Sequence, residues 1–149
     1  MKSARRPRTW FEEEEEVTVE LYPLVALVRT APVVVDVNTP IAEAARLLVE
    51  NRIPALIVIG RERQLEGIVT RTDVLRLGDR PDATASDAMS SFVFALPDEA
   101  TVEQAAALMA LEGVGQVVVT SADGELVGMV SALDIARHCA IRAGYLAAG

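Results

Sequence analysis

The chain spells one short phrase twice. Residues Gly67–Asp73 read GIVTRTD and residues Gly128–Asp134 read GMVSALD: a glycine, two apolar residues, a hydroxyl residue, two variable positions and an aspartate. The offset, 128 minus 67, is 61 residues. Slid against itself by that offset, the chain sets Ile41 on Val102, Ala44 on Ala105, Ala45 on Ala106 and Leu47 on Leu108. It also sets Val58 on Val119, Leu65 on Leu126, Val69 on Val130, Asp73 on Asp134 and Arg76 on Arg137, with no gap. Such a repeat constrains the fold strongly, because both copies must form the same unit and cover each other's apolar faces.

The periodicities give each copy one order of elements. Val33–Val37 is a short apolar run that reads as a strand. Ile41–Glu50 carries apolar residues at helical spacing, with Pro40 suited to the first turn. Ala55–Ile59 is a continuous apolar run bounded by Gly60, a buried strand. Arg61–Gln64 is a polar turn, Leu65–Val69 a further strand and Arg71–Leu77 a helix. The second copy predicts Val93–Leu96, Val102–Leu111, Gln116–Thr120, a turn at Ser121–Gly124, Glu125–Val130 and Ala132–Ile141. Asp123-Gly124 is a hairpin signal. The fold class is therefore α/β (α+β): two pseudo-symmetric β-α-β-β-α units packed sheet to sheet in one body. The boundaries are 1–23 for an acidic N-terminal extension, 24–78 and 86–142 for the units, 79–85 for a linker with Pro81 as breaker, and 143–149 for a tail. Val17–Leu21 alternates weakly and suits an edge strand, and the run Glu12–Glu16 is expected to be solvated and mobile.

Composition narrows the function. The chain has 149 residues, 51% of them hydrophobic and 4% aromatic, so Val, Leu, Ala and Ile must build the core. The formal net charge of −8 argues against general nucleic-acid binding, which needs a cationic surface. It argues equally against anionic lipid. A phosphate-bearing ligand must then be held by local geometry. Cys139 is the single cysteine, which permits no intramolecular disulfide and fits a cytoplasmic location. Arg5, Arg6 and Arg8 are followed by Trp10-Phe11 and glutamates rather than an apolar stretch, so no signal peptide is expected. No run of about 18 apolar residues exists to span a membrane.

The repeated phrase has two physical readings. A strand ends at Val69 and a helix begins at Arg71, so Thr70 falls at the N-cap and Asp73 three residues on. Thr-x-x-Asp is a capping box, as is Ser131-x-x-Asp134, stabilising its helix by ~1 kcal/mol. Gly67 and Gly128 would then be close-packing positions. The same junction also exposes free N–H groups at the positive end of a helix, which favours phosphate. A carboxylate there accepts the two hydroxyls of a ribose, and a Thr or Ser hydroxyl donates to a phosphate oxygen.

The pattern resembles a tandem pair of CBS domains (cystathionine β-synthase domains), together called a Bateman module, here as a stand-alone protein. Ser86-Asp87-Ala88-Met89-Ser90 looks like the opening Asp-x-Met-Thr phrase, and Ala100–Ala105 like the first-helix phrase. Gly128–Asp134 matches the closing Gly-h-h-Ser/Thr-x-x-Asp. The first copy matches through Thr39–Ala45, Ile53–Ile59 and Gly67–Asp73, while Val25–Thr30 is degenerate. The resemblance covers about Val25–Arg137.

It implies a module that binds adenosine ligands (AMP, ADP, ATP or S-adenosylmethionine) in two clefts between the halves. The closing Asp73 and Asp134 would hold ribose, and Thr70 and Ser131 would lie by phosphate. Backbone of Thr30, Pro32 and Val33 with Ile53, Pro54 and Ala55 would line one base. Ser91, Phe92 and Val93 with Val114, Gly115 and Gln116 would line the other. Arg71 and Arg76 favour the first copy's cleft for a charged phosphate chain over the second, which has Ala132 but keeps Arg137; a helix-surface role for these arginines is equally open. The resemblance also implies a homodimer. With no further domain in the sequence, the output is expected to pass to an effector protein on another chain or to be simple ligand buffering.

Other chemistry is poorly supported. His138 beside Cys139 lacks the converging ligands of a metal site, and adjacent helical residues do not face each other. Gly113-Val114-Gly115 ends a helix before a strand, the reverse of a dinucleotide fingerprint. Met89, Met109 and Met129 read as core. No nucleophile has a base beside it, so neither an enzyme nor a cofactor is expected. A ligand-sensing regulatory module is the leading reading, and a dimerisation or scaffolding pair without a ligand is the alternative.

Overall fold

The computed structural model describes residues 20–29 and 31–148. The acidic run and most of Val17–Leu21 lie outside the described residues, and Glu20 and Leu21 carry no strand. From Leu24 onward the elements are a 3-10 turn (Leu24–Leu27), β1 (Val34–Asp36), α1 (Ile41–Asn51), β2 (Ala55–Ile59), β3 (Leu65–Thr70) and α2 (Arg71–Leu77). Then come α3 (Ala85–Ala88), β4 (Ala95–Pro97), α4 (Val102–Glu112), β5 (Gln116–Thr120), β6 (Leu126–Ser131) and α5 (Ala132–Arg142).

Two three-stranded sheets form, ordered β1-β2-β3 and β4-β5-β6, each with a parallel pair followed by an antiparallel one. Their registers are copies of each other. Val34 pairs with Ile57 as Ala95 pairs with Val118, and each antiparallel pair has an irregularity at the same place, Val58/Ile59 and Val119/Thr120. The outer strands β1 and β4 are shorter than the apolar runs suggest. Pro97 fits the end of β4 because an edge strand has an unpaired side where no N–H is needed. Pro40 stands one residue before α1, in extended backbone.

The continuous apolar runs are explained by burial on both faces. Alternate residues of a strand face opposite ways. Leu56 and Val58 of β2 enter a core under α1 and α2, whereas Ile57 joins Ile68 and Val118 between the two sheets. Likewise Val117 and Val119 enter the second unit's core while Val118 faces the sheet interface. Burying such a side chain contributes about 1.5–3 kcal/mol.

Each unit is completed by a segment that precedes the other. Ala83 and Ala85, at the stretch expected to be a linker, are buried in the first unit's core. The Ile41 N–H donates to the Ala83 carbonyl (3.0 Å), Ala85 N–H to Thr39 (2.8 Å) and Ser86 N–H to Val37 (3.0 Å). Reciprocally, Leu24 is buried in the second unit's core. The Leu24 N–H donates to the Ala100 carbonyl (2.9 Å) and Val102 N–H to Tyr22 (2.8 Å). Gly67 and Gly128 make this exchange possible. A Cβ at Gly67 would collide with the Ser90 carbonyl oxygen, and one at Gly128 with the Val28 side chain. Ile68 and Ser90 meanwhile exchange two backbone hydrogen bonds, 3.0 and 2.9 Å.

The small helix α3 is a further feature absent from the expected elements. Asp87 accepts from the Thr84 backbone N–H at 2.9 Å in a capping box. That bond holds its carboxyl below the usual carboxylate range. The chain around Leu24 is tied down from outside as well: Arg142 donates to Glu20 (2.8 Å) and lies over the Tyr22 ring, which packs on His138 with centroids 4.5 Å apart. Met109 is buried, and Met89 and Met129 pack against core clusters.

Leu24 is 0% exposed, so its removal tests the exchange. Leu24→Ala is expected to destabilise the whole body by about 2–5 kcal/mol, as for a buried leucine. Urea unfolding should show this as a lower midpoint in one cooperative transition rather than as loss of a frayed end.

Candidate ligand-binding cleft

Both repeated phrases fold as strand-to-helix junctions because a hydroxyl N-cap ends the extended backbone. In the second copy, Asp134 Oδ2 accepts from the Ser131 backbone N–H (2.8 Å) and from its hydroxyl (3.0 Å). The Asp134 N–H donates back to Ser131 Oγ at 3.2 Å. The first copy is equivalent: Asp73 Oδ2 accepts from the Thr70 N–H (2.8 Å) and hydroxyl (2.9 Å). Both phrases are therefore capping boxes.

The second carboxylate oxygens differ. Asp73 Oδ1 accepts from Arg76 at 3.4 Å, and the Asp73 side chain is 10% exposed. Asp134 Oδ1 lies 3.7 Å from Arg137 Nη1, and its side chain is 30% exposed. Asp134 thus commits Oδ2 to its helix cap and sets Oδ1 beside Arg137, in a side chain more exposed than that of Asp73.

Asp134 lines a cavity of about 410 Å³ between the halves, within the size range of small-ligand sites. Ser131, Ala132, Leu133 and Asp134 form the wall at the N-terminus of α5. Apolar groups of Leu27, Ala31, Pro32, Val33, Ile53, Pro54 and Met129 form another, with Gly115 and Gln116 beside them. Arg29, Arg52, Arg71 and Arg137 complete it. The cavity therefore joins the base-lining segments expected from the first copy to the closing phrase of the second.

The expected site residues divide accordingly. Pro32, Val33, Ile53, Pro54, Arg71, Gly115, Gln116, Ser131, Asp134 and Arg137 line this cavity. Thr70, Asp73, Arg76, Ala55, Ser91, Phe92, Val93 and Val114 do not. Ala55 is fully buried, Val93 packs between the sheets and Val114 packs on the second core. Ser91 is exposed, and exposed Phe92 packs edge-on against Phe94. Thr30 lies outside the described residues. Arg71, assigned by sequence proximity to the cleft of its own phrase, instead lines the one that holds Asp134.

From the sequence, Arg29, Arg52, Leu27 and Leu133 carry no expected site role; Met129 reads as core, Ala132 is the residue that replaces Arg71 in the second phrase, and Ala31 lies inside the expected base-lining segment 30–33. The signal for Arg29 and Arg52 lay in the repeat, where their partners are Ser90 and Gly113. Among the described residues, no group of three or more His, Cys, Asp or Glu is placed to hold a metal, and no helix is long and apolar enough to cross a membrane.

The CBS domain pattern matches residues 25–79 and 85–141. The chain therefore belongs to the CBS domain family, as a tandem pair. Over 106 residues, 70% of its length, it is 29% identical to an uncharacterized 17.7 kDa protein of Acidianus ambivalens, spanning 65% of that protein. Over 104 residues, 69% of its length, it is 33% identical to inosine-5'-monophosphate dehydrogenase of Korarchaeum cryptofilum, spanning 21% of that enzyme. The chain thus covers less than two thirds of either relative.

Among solved structures, the CBS domain pair of protein MJ0100, in complex with 5'-methylthioadenosine and S-adenosyl-L-methionine, is similar with a TM-score of 0.76. At 23% identity, covering 83% of this chain and 99% of that one, it shows the fold. CBS domain protein PAE2072 from Pyrobaculum aerophilum, complexed with AMP, is 27% identical, with a TM-score of 0.73 and coverage of 85% and 99%.

The cap at Ser131 carries its own test. Ser131→Ala should lower stability by about 1 kcal/mol, the usual loss for an N-cap hydroxyl, read as a shift in the urea midpoint.

Proposed function

We propose that this CBS pair is a non-enzymatic regulatory module that binds an adenosine ligand (AMP, ADP, ATP or S-adenosylmethionine) in the Asp134 cleft and signals to a partner. The observation that carries the reading is the convergence, in one cavity, of apolar walls, a helix N-terminus and a carboxylate whose Oδ1 is ion-paired with Arg137 at 3.7 Å and stays outside the helix cap. The AMP complex of a pair 27% identical to this chain supports it.

In this reading Asp134 Oδ1 accepts the ribose hydroxyls. Ser131 and the N-terminus of α5 face phosphate, where the helix end favours negative charge. Pro32, Val33, Ile53 and Pro54, with Gly115 and Gln116, flank the base. Thr70, Asp73 and Arg76 are the counterparts in a second cleft, with Ser91–Val93 and Val114 beside it. A ligand held by both halves shifts the protein toward the arrangement it binds best, by as much as its differential affinity allows. That shift is the signal. In this reading the units run 24–78 and 86–142 along the chain, each with its opening segment packed on the other's core.

A homodimer is part of the proposal. Val49, Leu75, Leu111 and Leu133 are large apolar residues exposed on α1, α2, α4 and α5. In this reading they form the face that a second copy covers, since contiguous exposed apolar surface marks interaction sites. The same feature supports the second reading, a scaffolding pair with no physiological ligand.

Calorimetric titration with AMP, ADP, ATP and S-adenosylmethionine separates the two. Saturable binding of one of them is expected, weakened at least about tenfold in Asp134→Ala. Two hydrogen bonds to a charged group are each worth ~1.5–3 kcal/mol, and ~1.4 kcal/mol is tenfold. A folded protein that binds none of the four is the scaffold. Sedimentation equilibrium should return a dimer mass, and Leu111→Glu combined with Leu75→Glu should return a monomer.

A further inference from the structure

The Asp134 cleft is cationic in an acidic protein. Four arginines and a single carboxylate line it, against a formal net charge of −8 for the chain. Among the described residues, the only ion pair that any of the four makes is Arg137 with Asp134. The charges of Arg29, Arg52 and Arg71 are thus left facing the cavity without a described acidic partner.

The repeat shows that the fold does not require them. At an offset of 61, Arg29 corresponds to Ser90, Arg52 to Gly113 and Arg71 to Ala132; Arg137 alone has a cationic counterpart, Arg76. Arg52 is the most telling. It sits in the left-handed region at the end of α1, with φ 53° and ψ 42°. Gly113 occupies the same place after α4 with φ 67° and ψ 31°. That conformation suits glycine and strains a residue with a Cβ. Arg63 takes the same region (φ 62°) in an exposed turn opposite Gly124 (φ 80°), so the strain at Arg52 gains meaning from its place in the cavity lining.

Guanidinium groups pair with phosphate in a bidentate fork, more strongly than neutral donors do. A phosphate monoester carries about −1.5 to −2 charges at pH 7, fewer than three guanidinium groups, whereas a di- or triphosphate carries enough to balance them. A sulfonium or ammonium group would meet like charge. Resting on the adenosine-ligand reading above, we propose that this cleft selects a nucleoside polyphosphate, with two or three phosphates spread over Arg29, Arg52 and Arg71, over a monophosphate or a sulfonium adenosine.

The test is calorimetric titration of the full chain with the sodium salts of ATP, ADP and AMP, and with S-adenosylmethionine. Wild type is compared with Arg52→Gly and Arg71→Ala, which give each position the residue its repeat counterpart already has. ATP or ADP is expected to bind at least tenfold more tightly than AMP, and S-adenosylmethionine more weakly still. Each variant should weaken ATP at least about fivefold and AMP less than twofold. Arg52→Gly should keep or raise the thermal midpoint of the free protein.

AMP or S-adenosylmethionine binding as tightly as ATP overturns the polyphosphate inference while leaving the adenosine reading intact. So does equal loss for ATP and AMP in both variants. No binding of any of the four overturns the adenosine reading itself.

Discussion

The structure depends on a reciprocal exchange of backbone hydrogen bonds between its halves. Leu24 bonds to Ala100 as Ala85 bonds to Thr39, and Val102 bonds to Tyr22 as Ile41 bonds to Ala83. A β-α-β-β-α unit has one sheet face and one helix flank to cover, and a chain this short has little surplus surface to do it with. Lending each unit the segment that precedes the other satisfies both at once. The short contact at Gly67 against Ser90 and that at Gly128 against Val28 are the points where a side chain would block the exchange. They are also the first residues of the repeated phrase, which ties the phrase to packing before any ligand is considered.

The cleft follows from the same exchange. Having packed Leu24–Val28 on the second unit, the chain must return to begin β1 in the first. The return carries Arg29, Ala31, Pro32 and Val33 across the junction, where they meet the N-terminus of α5. A site between the halves is therefore built partly from backbone that no local pattern defines. It is also positioned by both cores, which is the rigid support that a binding geometry needs.

Legibility from sequence tracks these causes. β2, β5 and α2 fall where the residues predict, because the strands are buried on both faces and read as unbroken apolar runs, while a Thr cap fixes the helix start. β1 and β4 are less legible, since each pairs over only 3 residues and lacks the hairpin turn that fixes β3 and β6 against their neighbours. Leu24 was missed as core: Leu24–Leu27 is a tight turn with neither strand nor helix period. The site was legible in its chemistry, with Ser131, Asp134 and the segments at Pro32 and Ile53 converging in one cavity. Its assembly was not, because sequence proximity pairs Arg71 with Asp73 whereas the fold sets it in the cavity with Asp134.

The repeat also supplies an internal control. Positions held in common between the copies, such as Val58 and Val119, Gly67 and Gly128, or the hydroxyl caps at Thr70 and Ser131, are the ones the fold uses twice. Positions 29, 52 and 71 are cationic in one copy and Ser, Gly and Ala in the other. They are far apart along the chain, yet all three reach one cavity. Arg52 holds a backbone conformation that its counterpart fills with glycine, as Arg63 does in an exposed turn opposite Gly124, so it is the gathering of three unmatched arginines in one cavity, and not the strain, that sets the two halves apart. Packing explains what the halves share, and the charge in the cleft is where they differ.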